Sequence, residues 1–142
     1  MSFYAHQNRD ALRAAWRMAW QRHREQAPLE PLQAQIFDVI ALHPEYHALV
    51  ASEDAVAAEF TPEAGQSNPF LHMGLHLALR EQVGTDRPSG IRAVYERLAA
   101  RAASPHDAEH SMIVVLATAL WDAQRAGRAP DETHYLEQLR RL

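Results

Sequence analysis

Apolar residues recur at spacings of three and four along most of this chain, and no β-branched run alternates with period two. That periodicity predicts helix almost throughout. Proline and glycine divide it into segments. A first helix is expected from about Asn8 to Gln26, with Leu12, Ala15 or Trp16, Ala19 and Trp20 inward. "APLEP" ends it. A second runs from Pro31 to Leu42, with Leu32, Ile36, Phe37, Val39 and Ile40 inward. Pro44 forces a kink or restart at His43, followed by a short helical turn to Ala51.

The longest loop is expected over residues 59–70. Asn68 and Pro69 form an N-cap and first-turn proline, so a third helix runs from there to about Gln82. "VGTDRPSG" reads as a turn. Its Asp86 and Arg87 suit turn chemistry and an N-cap better than a ligand. A fourth helix covers about Pro88 to Ala102. Ser104, Pro105 and Asp107 start a fifth, which spans 105–126 and is stopped by Gly127. A last helix opens at Pro130 and runs to Leu142. The expected fold is all-α: one domain, residues 1–142, formed as a compact bundle of five to seven helices.

Composition narrows the function classes. The chain has 142 residues, enough for a core without staples. It has no cysteine, which excludes thiolate ligands, Cys nucleophiles and disulfides. The formal net charge is −4, and no basic face points to nucleic acid. The N-terminal "MSFYAHQNRD" lacks the apolar core of a signal peptide, and no apolar run reaches the roughly 20 residues of a membrane span. A cytoplasmic location without a membrane partner is expected. The amphipathic "YLEQLRRL" suits core packing or a second protomer as a homodimer. No phosphate loop or nucleophile triad stands out.

The candidate chemistry lies in histidine. Six of nine histidines fall in three pairs spaced by four: His43 and His47 in "HPEYH", His72 and His76 in "HMGLH", His106 and His110 in "HDAEH". Chance predicts roughly half such a pair. On a helix this spacing puts two rings on one face, with Cβ atoms about 5–6 Å apart. Two imidazoles can then reach one ion at about 2.0–2.1 Å each. Without thiolates the ligand set would be nitrogen plus carboxylate, suited to Zn or Fe, with Ni and Cu also compatible. Three inward pairs could converge on one centre. His106 and His110 lead into Ile113 or Val114, Ala117 and Trp121. Gly74, between His72 and His76, would admit a neighbouring helix. The three tryptophans, Trp16, Trp20 and Trp121, read as core. Carboxylate candidates near the pairs are Glu45, Glu81 and Glu109. "HDAEH" also spells H-x-x-E-H, a metalloprotease pattern, but too little chain follows it for a large protease fold.

Several long stretches resemble a bacterial family known as domain of unknown function 1841. They are "VIALHPEYH", "TPEAGQSNPFLHMGLHLALREQ", "RPSGIRAVYERL", "HDAEH" and "LWDAQRAGRAPD…YL". The resemblance covers the chain from about Ala15 onward and implies no activity, so no reaction or substrate follows. Its characteristic stretches include all six paired histidines and leave out His6, His23 and His134.

Two functions are compatible with these residues. One is a metal-binding helical protein using His72, His76, His106 and His110 first and His43 and His47 second. The other is a non-enzymatic interaction or structural module, with the histidines as a hydrogen-bonded polar core and loop 59–68 meeting a protein partner.

Overall fold

The structure, a computed structural model, describes the backbone of residues 3–58, 60 and 68–142 and the side chains of 9–56, 58, 60 and 68–142. The described residues hold eight α-helices, one 3-10 turn and no strand. The all-α expectation holds, while the count exceeds five to seven. Most of loop 59–70 lies outside the described residues, and with it nearly all of the segment expected to meet a partner. No helix among the described residues is long and apolar enough to cross a membrane. The chain divides into two compact units, Met1–Met73 and Gly74–Leu142.

In the first unit, α1 spans Phe3–Arg24 and α2 spans Pro31–Ala41. A 3-10 turn at Pro44–Tyr46 follows, because Pro44 prevents α2 from continuing through His43. Next come α3, His47–Ala51, and α4, Glu53–Ala57. The sequence pattern did not predict α4. Ser52 is extended (φ −86°, ψ 127°) and separates two helices too short to carry a periodic stripe of their own.

The buried stripe of α1 is rotated from the expected one. Arg13, Trp16 and Ala19 are buried, whereas Leu12 is 66% exposed and Ala15 is exposed. Arg13 is drawn inside because its Nη1 donates to the carbonyls of Val56 (3.1 Å) and Ala58 (2.7 Å), at the C-terminal end of α4. Its guanidinium also lies over Phe60 and Phe70, at 5.5 and 5.0 Å. On α2, Ile36, Val39 and Ile40 are buried as expected, but Leu32 is exposed.

Helix α5, Pro69–Thr85, begins in the first unit and continues in the second. Asn68 caps it, accepting the Leu71 N–H at 3.1 Å. It runs one turn past the expected end, through Gly84. Among the described residues a Cβ at Gly74 would meet nothing within 4 Å, so none of them makes the close helix approach expected there. In the second unit α6 covers Ile91–Arg101, α7 Pro105–Ala126 and α8 Glu132–Arg140. Each start has a side-chain acceptor. Asp86 Oδ1 takes the Gly90 and Arg92 N–H groups, Ser104 Oγ takes Asp107 N–H, and Asp131 Oδ1 takes His134 N–H. "TDRPSG" therefore serves as helix-start chemistry.

Leu79, Ile91, Met112 and Leu139 are fully buried, with Leu75, Val94, Leu98, Ile113 and Leu116 around them. Each such side chain stabilises the unit by about 1.5–3 kcal/mol through removal from water. Trp121 and Val114 do not belong to this core, being 58% and 67% exposed. The inward face of α7 runs instead through Ala108, Glu109, Met112, Ile113 and Leu116. Of the three tryptophans, only Trp16 is fully in the core; Trp20 is half-buried.

Candidate functional site

Helical spacing builds the site in the second unit. On α5, His76 and Arg80 are four apart and share a face. On α7, His106, Glu109 and His110 lie three and four apart. The core made by Leu75, Leu79, Met112 and Ile113 holds the two faces together. Three imidazoles meet there. The His76 ring stacks on His106 at 4.7 Å with an interplanar angle of 7°. His110 lies 4.9 Å from His76 and 4.2 Å from His106. One ring nitrogen from each can be chosen so that all lie within 4.8 Å of one another. His76 is completely buried, and the other two rings are half-buried.

A carboxylate stands behind them. The Nδ1–H of His76 donates to Oε1 of Glu109 at 3.2 Å. A carboxylate can only accept here, so this bond sets His76 as the Nδ1–H tautomer and makes Nε2 its lone-pair atom. Arg80 grips the same carboxylate with two bonds, Nε to Oε1 at 2.9 Å and Nη2 to Oε2 at 3.1 Å. Burial alone pushes the Glu109 carboxyl up. The hydrogen bonds from His76 and Arg80 and the nearby Arg80 charge outweigh that, and the group sits below its ordinary value. Glu109 is therefore an anion held between a cation and an imidazole.

The first unit carries its own histidine arrangement. His43 is buried, and its Nδ1–H donates to the Val39 carbonyl at 2.8 Å. Its ring stacks on Tyr46 at 5.5 Å and meets His72 edge-on at 5.1 Å. His47 donates from Nε2 to the Ile40 carbonyl at 2.9 Å and lies 4.3 Å from the Trp20 ring. Glu45 and Glu81 are exposed. Glu45 is two residues from His43 and from His47 and Glu81 is five from His76, yet neither carboxylate takes part in a hydrogen bond among the described residues; Glu81 accepts only through its main-chain carbonyl, from Thr85 Oγ1 at 2.8 Å.

The sequence pattern offers Arg80 only as an ion-pair partner of Glu81 or of a neighbouring helix, and gives Tyr46 no role. The signal for Arg80 was its spacing of four from His76, which continues the series His72, His76, Arg80 along one face of α5. Tyr46 carried no such signal, because it sits in the 3-10 turn, where helical spacing does not apply.

A model of the family described as "Domain of unknown function (DUF1841)" matches residues 8–141. No curated protein and no solved structure matches the chain.

Proposed function

We infer that this chain, which belongs to the DUF1841 family, binds a divalent transition-metal ion through His76, His106 and His110. The observation that carries this reading is the approach of three imidazoles from two helices, with ring centroids 4.2–4.9 Å apart. Neutral nitrogen donors with no thiolate suit Zn and Fe. Glu109 is the orienting carboxylate of the set. Its bond to His76 Nδ1 fixes the tautomer and raises the basicity of Nε2, the usual arrangement behind a metal-bound histidine. Arg80 keeps that carboxylate ionised and in place. A three-histidine site leaves a coordination position open, and an ion held that way polarises a bound water or oxygen ligand.

For the histidines of the first unit a second reading is favoured. His43 and His47 each donate to a backbone carbonyl, which is the ordinary way to satisfy a polar ring inside a helical core.

The experiment is a metal titration of the full chain carrying no affinity tag, followed by thermal unfolding. Zn(II) or Fe(II) raises the unfolding temperature of the wild-type chain by mass action. The half-buried His106→Ala and His110→Ala variants fold and lose that rise. An equal rise in both variants contradicts the assignment.

A further inference from the structure

We propose that the second unit also holds a pocket for a small carboxylate with a compact apolar body, adjoining the histidine cluster through the Arg80–Glu109 pair. The pocket is a cleft of about 350 Å³ between α5, α6 and the start of α7. That is within the usual range for small-ligand sites, about 300–1,000 Å³. Leu79, Val83 and Pro105 line it with apolar side chains, and Arg80, Glu109 and Tyr95 line it beside them.

Arg80 supplies the recognition chemistry. A guanidinium has five N–H donors. Glu109 takes two of them, one from Nε and one from Nη2. No described residue takes the other three, and the side chain is 31% exposed. A planar fork of this kind can hold a second carboxylate beside the first. The Tyr95 hydroxyl enters no hydrogen bond with another described residue and offers one more donor, with its ring available for apolar contact. A neutral ligand would leave the guanidinium donors underused, and a long chain would exceed the cleft. A compact monocarboxylate matches both limits.

Charge makes the pocket and the histidine cluster interdependent. Arg80 and Glu109 cancel formally, so the metal-free cleft is close to neutral. A divalent ion on the histidines adds two positive charges behind Glu109 and favours an anion at Arg80. This coupling rests on the proposed metal site, whereas the pocket itself does not. By linkage, an ion that tightens carboxylate binding is itself bound more tightly when the carboxylate is present, by the same factor.

Sodium benzoate is the probe, with benzamide as its uncharged counterpart. Both are titrated into the metal-free full chain and followed by two-dimensional NMR. Benzoate is expected to give saturable shifts at Leu79, Val83 and Tyr95, with benzamide at least about tenfold weaker, a difference worth about 1.4 kcal/mol. Tyr95→Phe keeps the fold and weakens benzoate several-fold. Arg80→Gln reduces benzoate to the benzamide level. No saturable shift with benzoate, or equal binding of the two compounds, overturns the pocket. Benzoate binding without any metal uptake supports the pocket and removes only the metal site. Metal uptake without benzoate binding does the reverse. If both bind, Zn(II) should tighten benzoate several-fold, and an unchanged affinity overturns the coupling.

Discussion

His76 Nδ1 donates to Glu109 Oε1 at 3.2 Å, joining α5 to α7 inside the second unit. The bond has two consequences. It sets which nitrogen of His76 carries the proton, and it places a buried anion where Arg80 must answer it.

Removing the charge of Glu109 should weaken metal binding without unfolding the chain. Glu109→Gln is close to isosteric and still accepts from His76, but it loses the carboxylate. Loss of an orienting partner of this type costs about 10–100-fold in metal affinity. Competition against a chromophoric chelator measures it. An unchanged affinity would show that Glu109 does not act on His76.

Arg80→Met should destabilise the second unit by leaving the Glu109 anion with only its His76 hydrogen bond and no cation. Removing one partner of a fully buried pair costs about 3–5 kcal/mol. Arg80 is 31% exposed, so we expect about 2 kcal/mol in denaturant unfolding. The double variant Arg80→Met with Glu109→Gln should cost less than the two single changes added together, because the anion that needs Arg80 has gone. Additive costs in that cycle would argue against a direct coupling.

The acid limb of stability should carry a Glu109 contribution. The folded-state value of this group is lowered from about 4.5, so the unfolded chain takes up its proton at higher pH than the folded chain does. The stabilisation is fully present above about 4.5 and is lost as pH falls through the lower folded value. The groups facing the carboxylate are His76 and Arg80 from α5, with His106 and His110 near it on α7. Urea unfolding between pH 7 and pH 3 measures the slope, and Glu109→Gln should flatten it below pH 4.5.

Trp121→Gln should be nearly neutral, although the sequence pattern puts this residue in the core. Its ring is 58% exposed and lies under Arg125 at 4.5 Å. Loss of that contact costs below about 1 kcal/mol. Met112→Ala on the opposite face of α7 should cost about 2–5 kcal/mol. Reversed magnitudes in thermal unfolding would place the buried face of α7 where the sequence pattern did.

Element boundaries were legible where local chemistry sets them. Asn68–Pro69 and Ser104–Pro105–Asp107 start helices where expected, and Gly127 ends α7 in the left-handed conformation, at φ 66°. Helix rotation was less legible. On α1 a buried arginine occupies the stripe and a leucine lies outside it, because Arg13 answers carbonyls some 40 residues away. On α7 the inward face is centred on a glutamate, Glu109, which a hydrophobicity pattern treats as surface. Its burial depends on Arg80 and His76, partners from another helix that periodicity does not register. The pairing of His106 with His110 was visible as a spacing of four. That His76 joins them, while His43 and His72 meet in the first unit, follows from tertiary packing alone.

The central claim is that His76, His106 and His110 hold a metal ion. Elemental analysis of tag-free full-length chain, prepared once in air and once without oxygen, tests it most directly. The account predicts Zn or Fe at close to one ion per chain in at least one preparation, and its loss in His106→Ala and His110→Ala. Only trace metal in both preparations, with no uptake when Zn(II) or Fe(II) is added back, would contradict it. The three rings would then stand as a polar core and nothing more.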